Sequence, residues 1–382
     1  MNTAPAISGL SARRNYSKMA KKIFIAATMQ NDGKTTVSLG LIAALKKRFG
    51  RIGFIKPIGQ RYLVEQGYKV DEDSVLIEEV FGIKCNIKDM SPIAIERGFT
   101  ERFIEKGPAE DYARQITDAY EHIAKDNDLV IIEGTGHAGV GSVLNLSNAT
   151  VAKLLDANVL LISSGGVGKP IDEIMLNKAL FDKEGVRLAG VVVNKVLPEK
   201  YERIAKLVRK GLEQKGMNVF GVLPYQKILD IPTMREIKEE IKIDTLYEGV
   251  GLDKPVENVL IGAMNVKDAV QFLRNHSLLI IPGDRDDMME TCCKVQQGRI
   301  RKGCSISGII LSGGLMPKRG SLRSLEKAKI PVLITKEDTY AISSRINSMV
   351  VKLKPQDEQK IKIIVDMVEK NLDVDKVLAG LR

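Results

Sequence analysis

Residues 21–50 read "KKIFIAATMQNDGKTTVSLGLIAALKKRFG", and this stretch decides the fold. The apolar run at 23–27 predicts a buried strand. The polar segment 28–33 predicts a tight turn, and the residues from Lys34 to Phe49 predict an amphipathic helix. Backbone N–H groups in such a turn, aimed from the start of a helix, form a concave site for phosphate oxygens. Gly33 lets the chain come close to the phosphates, Lys34 brings a point charge, and Thr35 offers a hydroxyl to Mg2+. The common G-x-x-x-x-G-K-[ST] spacing wants glycine where this chain has Thr28. A longer loop, with its first small residue at Ala27, runs instead as Ala27-Thr28-Met29-Gln30-Asn31-Asp32-Gly33-Lys34-Thr35.

Around this stretch the chain alternates strand and helix. Further strands are expected at 52–56, 129–133, 159–163, 188–194 and 219–223, with helices over 109–125, 170–181 and 199–215. Strands this uniformly apolar are buried on both faces, as in a parallel sheet. The expected fold is α/β, a doubly wound and mostly parallel sheet, with ligands at the carboxyl ends of the strands. A break near 248–255 sets off a smaller α/β unit containing "LLIIPGDRDDMMETCCKV" and "CSISGIILSGGLMP". The expected domains are 21–245 and 250–355, followed by a helical tail over 356–382. In that tail Ile361, Ile364, Val365, Val368 and Leu372 recur at helical spacing, which predicts a packed terminal helix pair.

Composition narrows the partners. Aromatics make up 5% of the 382 residues and Trp is absent, which disfavours a stacking platform for single-stranded nucleic acid. The net charge of +10 comes from Lys and Arg interleaved with acids on helix faces such as "KYERIAKLVRKGLEQKG", so no nucleic-acid partner is expected. Cys85, Cys292, Cys293 and Cys304 lack ligand spacing and read as reduced thiols of a cytoplasmic protein. No apolar run approaches the roughly 18 residues of a membrane span. Residues 1–20 carry no apolar signal core and read as a disordered leader, with Met19 an alternative start to Met1.

The loop at 27–35 resembles that of dethiobiotin synthetase, G-T-D-T-x-x-G-K-T, with Ala27 for glycine and Met29-Gln30 for Asp-Thr. Companion segments follow in the same order: "IGFIKPIGQ", "VDEDSVLIEEVFG", "LVIIEGTGHAGVGSV", "VVVNKVLP" and "GVLPY". The resemblance, shared with cobyrinate diamide synthases, implies a P-loop NTPase domain using ATP and Mg2+. It implies nucleotide contacts from Thr28, Asn31, Asp32, Gly33, Lys34, Thr35 and Thr36, with Asn194 and Pro224 at the adenine. Lys34 and Lys56 are the implied catalytic residues, and Thr35, Asp73 and Glu133 the implied Mg2+ ligands; Asp71 aligns less well than Asp73. His137, in the glycine-rich run 134–141, either touches substrate or is simply solvated.

The second unit resembles the DRTGG domain through Asp284-Arg285 and Ser312-Gly313-Gly314. That domain often follows such a P-loop domain, notably in the amino-terminal part of some phosphotransacetylases. Its signature turns imply ligand sensing, or are turns and nothing more. The resemblance implies transfer of the γ-phosphoryl to a carboxylate-type small-molecule substrate, by a homodimer. The alternative is a nucleotide-dependent regulator without metabolic turnover. Glutamine hydrolysis is not expected, because no His follows Cys292, Cys293 or Cys304. With the sequence ending at Arg382, acetyl transfer is not expected either.

Overall fold

The computed structural model describes residues 20–381, so the leader and the choice of start codon lie outside the described residues, Ala20 apart. The described residues divide into two units, 20–225 with 353–381, and 226–352.

The first unit begins with β1 (Lys21–Ala27), α1 (Lys34–Leu45) and β2 (Ile52–Ile55). Smaller elements follow: β3 (Ile58–Gly59), β4 (Tyr62–Glu65), β5 (Tyr68–Asp71), α2 (Glu72–Phe81), α3 (Ile87–Met90), β6 (Ile93–Ala94), α4 (Phe99–Lys106) and α5 (Tyr112–Lys125). The main layer resumes with β7 (Leu129–Glu133), α6 (Asn148–Leu154), β8 (Val159–Ser163), α7 (Gly168–Glu184), β9 (Leu188–Val196), α8 (Tyr201–Glu213) and β10 (Val219–Pro224). Six strands form one parallel sheet in the order β10-β9-β8-β1-β7-β2. The chain builds first on one side of β1 and then on the other, so the carboxyl end of β1 lies at the switch point where ligands bind in such sheets.

The second unit contains α9 (Met234–Ile241), β11 (Asp244–Tyr247), β12 (Asn258–Ile261), α10 (Val266–Ala269), β13 (Ser277–Pro282), α11 (Asp286–Gln296), β14 (Ile306–Ser312), α12 (Arg319–Lys327), β15 (Val332–Ile334) and α13 (Thr339–Ser348). Its sheet runs β11-β15-β14-β13-β12, with β11 antiparallel to β15 and the others parallel.

The structure draws the boundaries differently from the sequence reading. Residues 226–247 belong to the second unit, because β11 completes its sheet against β15. The tail is not a separate piece: α14 (Glu358–Asn371) and α15 (Val374–Gly380) are part of the first unit. Gly40 of α1 is so close to Val368 that a Cβ there would lie 2.4 Å from the valine. The Asp373 N–H donates to Phe220 O at 2.8 Å, and Asn158 Nδ2 donates to Gly380 O at 2.8 Å. This packing also corrects the amphipathic reading of α1. Val37, Leu39, Leu41, Ile42 and Leu45 are all fully buried, since α14 covers the face that would have met water. Among the described residues no helix is long and apolar enough to cross a membrane.

Candidate phosphate and metal site

The site grows from the junction of β1 and α1. Gly33 is the N-cap of α1 at φ 94°, a left-handed conformation that suits glycine, and a Cβ there would lie 2.2 Å from Asn194 Nδ2. Asn31 is also left-handed, at φ 67°. No side chain caps α1, and its first turn holds no acid. Some helices of the unit carry a cap (Asp71 on α2, Asp111 on α5, Ser147 on α6), whereas α4, α7 and α8, like α1, have none. The first N–H groups of α1 therefore stay available to an anion, on the positive end of the helix dipole.

The loop before Gly33 is held from within. Thr28 is fully buried, and its hydroxyl donates to Asp32 Oδ2 at 2.7 Å beside Ser163 Oγ at 3.1 Å. The Met29 N–H donates to the same Asp32 oxygen at 2.7 Å. Asn194 Nδ2 donates to Asp32 O at 2.9 Å. The Thr28 and Asp32 side chains thus brace the loop through each other. The Asn194 amide nitrogen likewise serves the loop. Pro224 ends β10 opposite Val196 of β9, the strand that carries Asn194.

Below the loop lies a buried charge cluster. Glu133 ends β7 with no exposure, accepting from Ser38 Oγ at 2.6 Å and Thr35 Oγ1 at 3.1 Å. Lys56, just past β2, pairs with Asp71 at 2.8 Å, contacts Asp73, and lies 3.9 Å from Glu133. Asp71 accepts from the Asp73 N–H, so one cap residue both starts α2 and holds Lys56. Lys34 is also buried. Burial pulls the Lys34 ammonium below its usual range, an effect that nearby Glu133 opposes. Burial would do the same to Lys56, but Asp73, Glu133 and Asp71 together outweigh it and raise its pKa. Burial pushes the Glu133 carboxyl up to about 7, with Asp73 adding to the rise and Lys56 opposing it. Burial also raises Asp71.

The donor set fits Mg2+. A hydroxyl and one or two carboxylates beside a phosphate site are what this ion uses, completed by phosphate oxygens and water. Thr35 and Glu133 already touch, and Asp73 reaches the same cluster through Lys56. Among the described residues no group of three His, Cys, Asp or Glu forms a cage without phosphate. His137 is exposed, its Nδ1 accepting from the Gly139 N–H at 3.2 Å.

Two contributors escaped the sequence reading. Ser38 lies three residues after Thr35, on the same face of α1; that helical spacing was the available signal. The Asp71–Lys56 pair joins residues 15 positions apart through the β4–β5 hairpin, which also went unread.

In the second unit Arg285, Gly313 and Gly314 of the signature bond within the unit. Arg285 donates to Gly262 O at 2.6 Å and to Met264 O at 3.1 Å, and forks onto Asp287 at 2.9 and 3.0 Å. Gly313 and Gly314, both left-handed, donate their N–H groups to Glu337 O at 2.7 Å and Thr335 O at 2.8 Å.

A parallel sheet with β1 inside it, an uncapped helix behind a G-K-T turn, and a strand-end carboxylate beside them define a P-loop NTPase-like protein. The chain belongs to the AAA domain family, whose AAA_26 model matches residues 21–233; a DRTGG domain model matches residues 236–349. Curated relatives are phosphate acetyltransferases. That of Pseudomonas putida is 28% identical over 369 residues, covering 92% of this chain and 50% of the relative. That of Synechocystis sp. is 26% identical over 374 residues, covering 95% and 52%. The chain therefore spans about half the length of the curated relatives it matches. Among solved structures, a plasmid partition protein of Borrelia burgdorferi bound to AMPPNP shares 14% identity, at a TM-score of 0.38 over 56% of this chain and 90% of that one. The MinC:MinD complex of Aquifex aeolicus shares 16%, at 0.36 over 55% and 84%. Likenesses this partial leave the fold to be read from the strand order itself.

Proposed function

We propose that the first unit binds ATP with Mg2+ and activates the terminal phosphoryl group for transfer to a carboxylate-type small molecule. The observation that carries this reading is the uncapped start of α1, with Lys34 and Thr35 beside the buried Glu133. In this reading the α1 N–H groups and Lys34 hold the phosphates. Thr35, Glu133 and Asp73 hold Mg2+, which when bound neutralises charge on the transferring group. Lys56 adds positive charge at the same place and is kept protonated by its carboxylates. Asn31 and Thr36 line the loop, and Asn194 with Pro224 borders the base. The reading includes a homodimer and a cytoplasmic setting.

The test is ADP release in the presence of Mg2+ and a panel of small carboxylic acids and amines. Turnover that rises with one compound and vanishes in Lys34→Ala supports transfer. A second reading takes the chain as a nucleotide-dependent regulator. It is favoured by the match to phosphate acetyltransferases, which runs through both units over about half of each relative. ATP binding without stimulated turnover would support that reading instead.

A further inference from the structure

A buried amide joins the phosphate loop to the glycine-rich run that follows β7. Asn177 lies in the middle of α7 and is 6% exposed. Its Nδ2 donates to Thr28 O at 3.2 Å and to Glu173 O at 2.8 Å, so both of its hydrogens are used. Its Oδ1 accepts from the Ala138 N–H at 2.8 Å. One side chain therefore holds the first turn of the phosphate loop with one end and the middle of the 134–141 run with the other.

Both attachment points are firm. Thr28 donates its N–H to Ile162 O at 2.7 Å and its hydroxyl to Asp32, so its carbonyl cannot shift without disturbing the brace that sets Gly33. On the other side Asn148 holds the run to α6. Its Nδ2 donates to Thr135 O at 2.8 Å and His137 O at 2.7 Å, and its Oδ1 accepts from the Thr135 N–H at 3.1 Å. The Thr135 hydroxyl donates to Ile58 O, two residues past Lys56. Glu133, at the start of this run, already touches Thr35. The bond to Glu173 O, within α7 itself, uses only one of the two amide hydrogens. The bonds to Thr28 and Ala138 reach two other segments, and buried groups that lose them find no water to replace them.

We propose that Asn177 is a positioning residue that couples the phosphate loop to the 134–141 run, so that nucleotide binding tightens that run as well. The inference rests on the phosphate-loop reading and names how that site communicates with its neighbour. The test is amide hydrogen exchange on the full chain, with and without ATP and Mg2+, in the wild type, Asn177→Leu and Asn177→Asp. In the wild type ATP slows exchange at 28–37 and also at 135–141. Asn177→Asp keeps an acceptor for Ala138 but, when ionised, loses the donors to Thr28 O and Glu173 O. Its basal exchange at Ala138 stays near the wild-type rate, while the ATP response at 135–141 falls at least about threefold. Asn177→Leu loses both the basal protection and the response; if it fails to fold, the aspartate variant decides alone. An unchanged ATP response at 135–141 in the aspartate variant overturns the coupling. So does a wild type that responds only at 28–37. A wild type with no response at 28–37 overturns the phosphate-loop reading and this inference with it.

Discussion

The two units each turn a buried parallel strand into a helix, and they finish that turn in opposite ways. Neither α1 nor α11 has a side-chain cap, but the turn after β1 leaves the first turn of α1 free of acids and begins it with the buried Lys34. After β13 the turn opens α11 with Asp286 and Asp287, which occupy the positive end of the helix with the chain's own carboxylates. Arg285 then laces that turn to the end of β12. The first junction brings no carboxylate of its own to the helix start; the second brings two. The strand–turn–helix frame is common to both, so it cannot decide which one binds phosphate. The handful of residues at the turn decides it.

The largest effect is expected from removing the cation of the buried cluster below the first junction. Lys56→Met leaves Asp71, Asp73 and Glu133 buried without their ammonium, and unfolding free energy should fall by about 3–5 kcal/mol. Urea denaturation reads this directly, and a loss under 1 kcal/mol would mean the carboxylates simply take up protons at no cost. Next is pH. Glu133 is held at about 7 against an ordinary 4.5, so the folded protein keeps a proton there that the unfolded chain releases. The stability this provides is complete below 4.5 and is lost as pH rises through about 7. That amounts to at most about 3 kcal/mol. Urea midpoints should therefore fall across this window in the nucleotide-free protein and flatten in Glu133→Gln; equal slopes would remove the carboxyl from the account.

Gly33→Ala should cost about 1–3 kcal/mol, from the left-handed backbone and the clash with Asn194, and should weaken ATP at least about tenfold. Thermal unfolding and a binding titration check both halves. Arg285→Ala should cost less, about 1–2 kcal/mol, because its pair with Asp287 is partly exposed. It should leave ATP affinity unchanged, and any change there would break the division of labour between the junctions.

Local signals carried most of the fold. The apolar strands of the main sheet and the G-K-T turn are contiguous in sequence, so periodicity and spacing were enough to find them. The β4–β5 hairpin was hidden for a physical reason. Leu63, Val64 and Tyr68 are exposed, so its apolar residues mark no buried face. The domain boundary was misread because the Gly-, Asp- and Pro-bearing stretch near 248–255 looks like a linker, whereas β11 before it pairs with β15 some 90 residues later (334 − 244). In the site, Lys34, Thr35, Lys56, Asp73 and Glu133 were named from motif order, and the structure brings them together. What the motif did not say is how Thr28, Asp32 and Asn194 are used. Their hydrogen bonds depend on contacts such as that from Asn194 to Asp32, 162 positions apart, and no local pattern encodes them.

The central claim is that phosphate binds at the start of α1 through Lys34. Titration calorimetry with ATP tests it most directly, on wild type and Lys34→Ala, each with Mg2+ and again with a chelator. The account predicts saturable binding by the wild type, weakened by the chelator, and an affinity at least about 100-fold lower in Lys34→Ala, the loss expected for a buried charge-assisted contact. Equal heats from the two proteins, or none from the wild type, would contradict it.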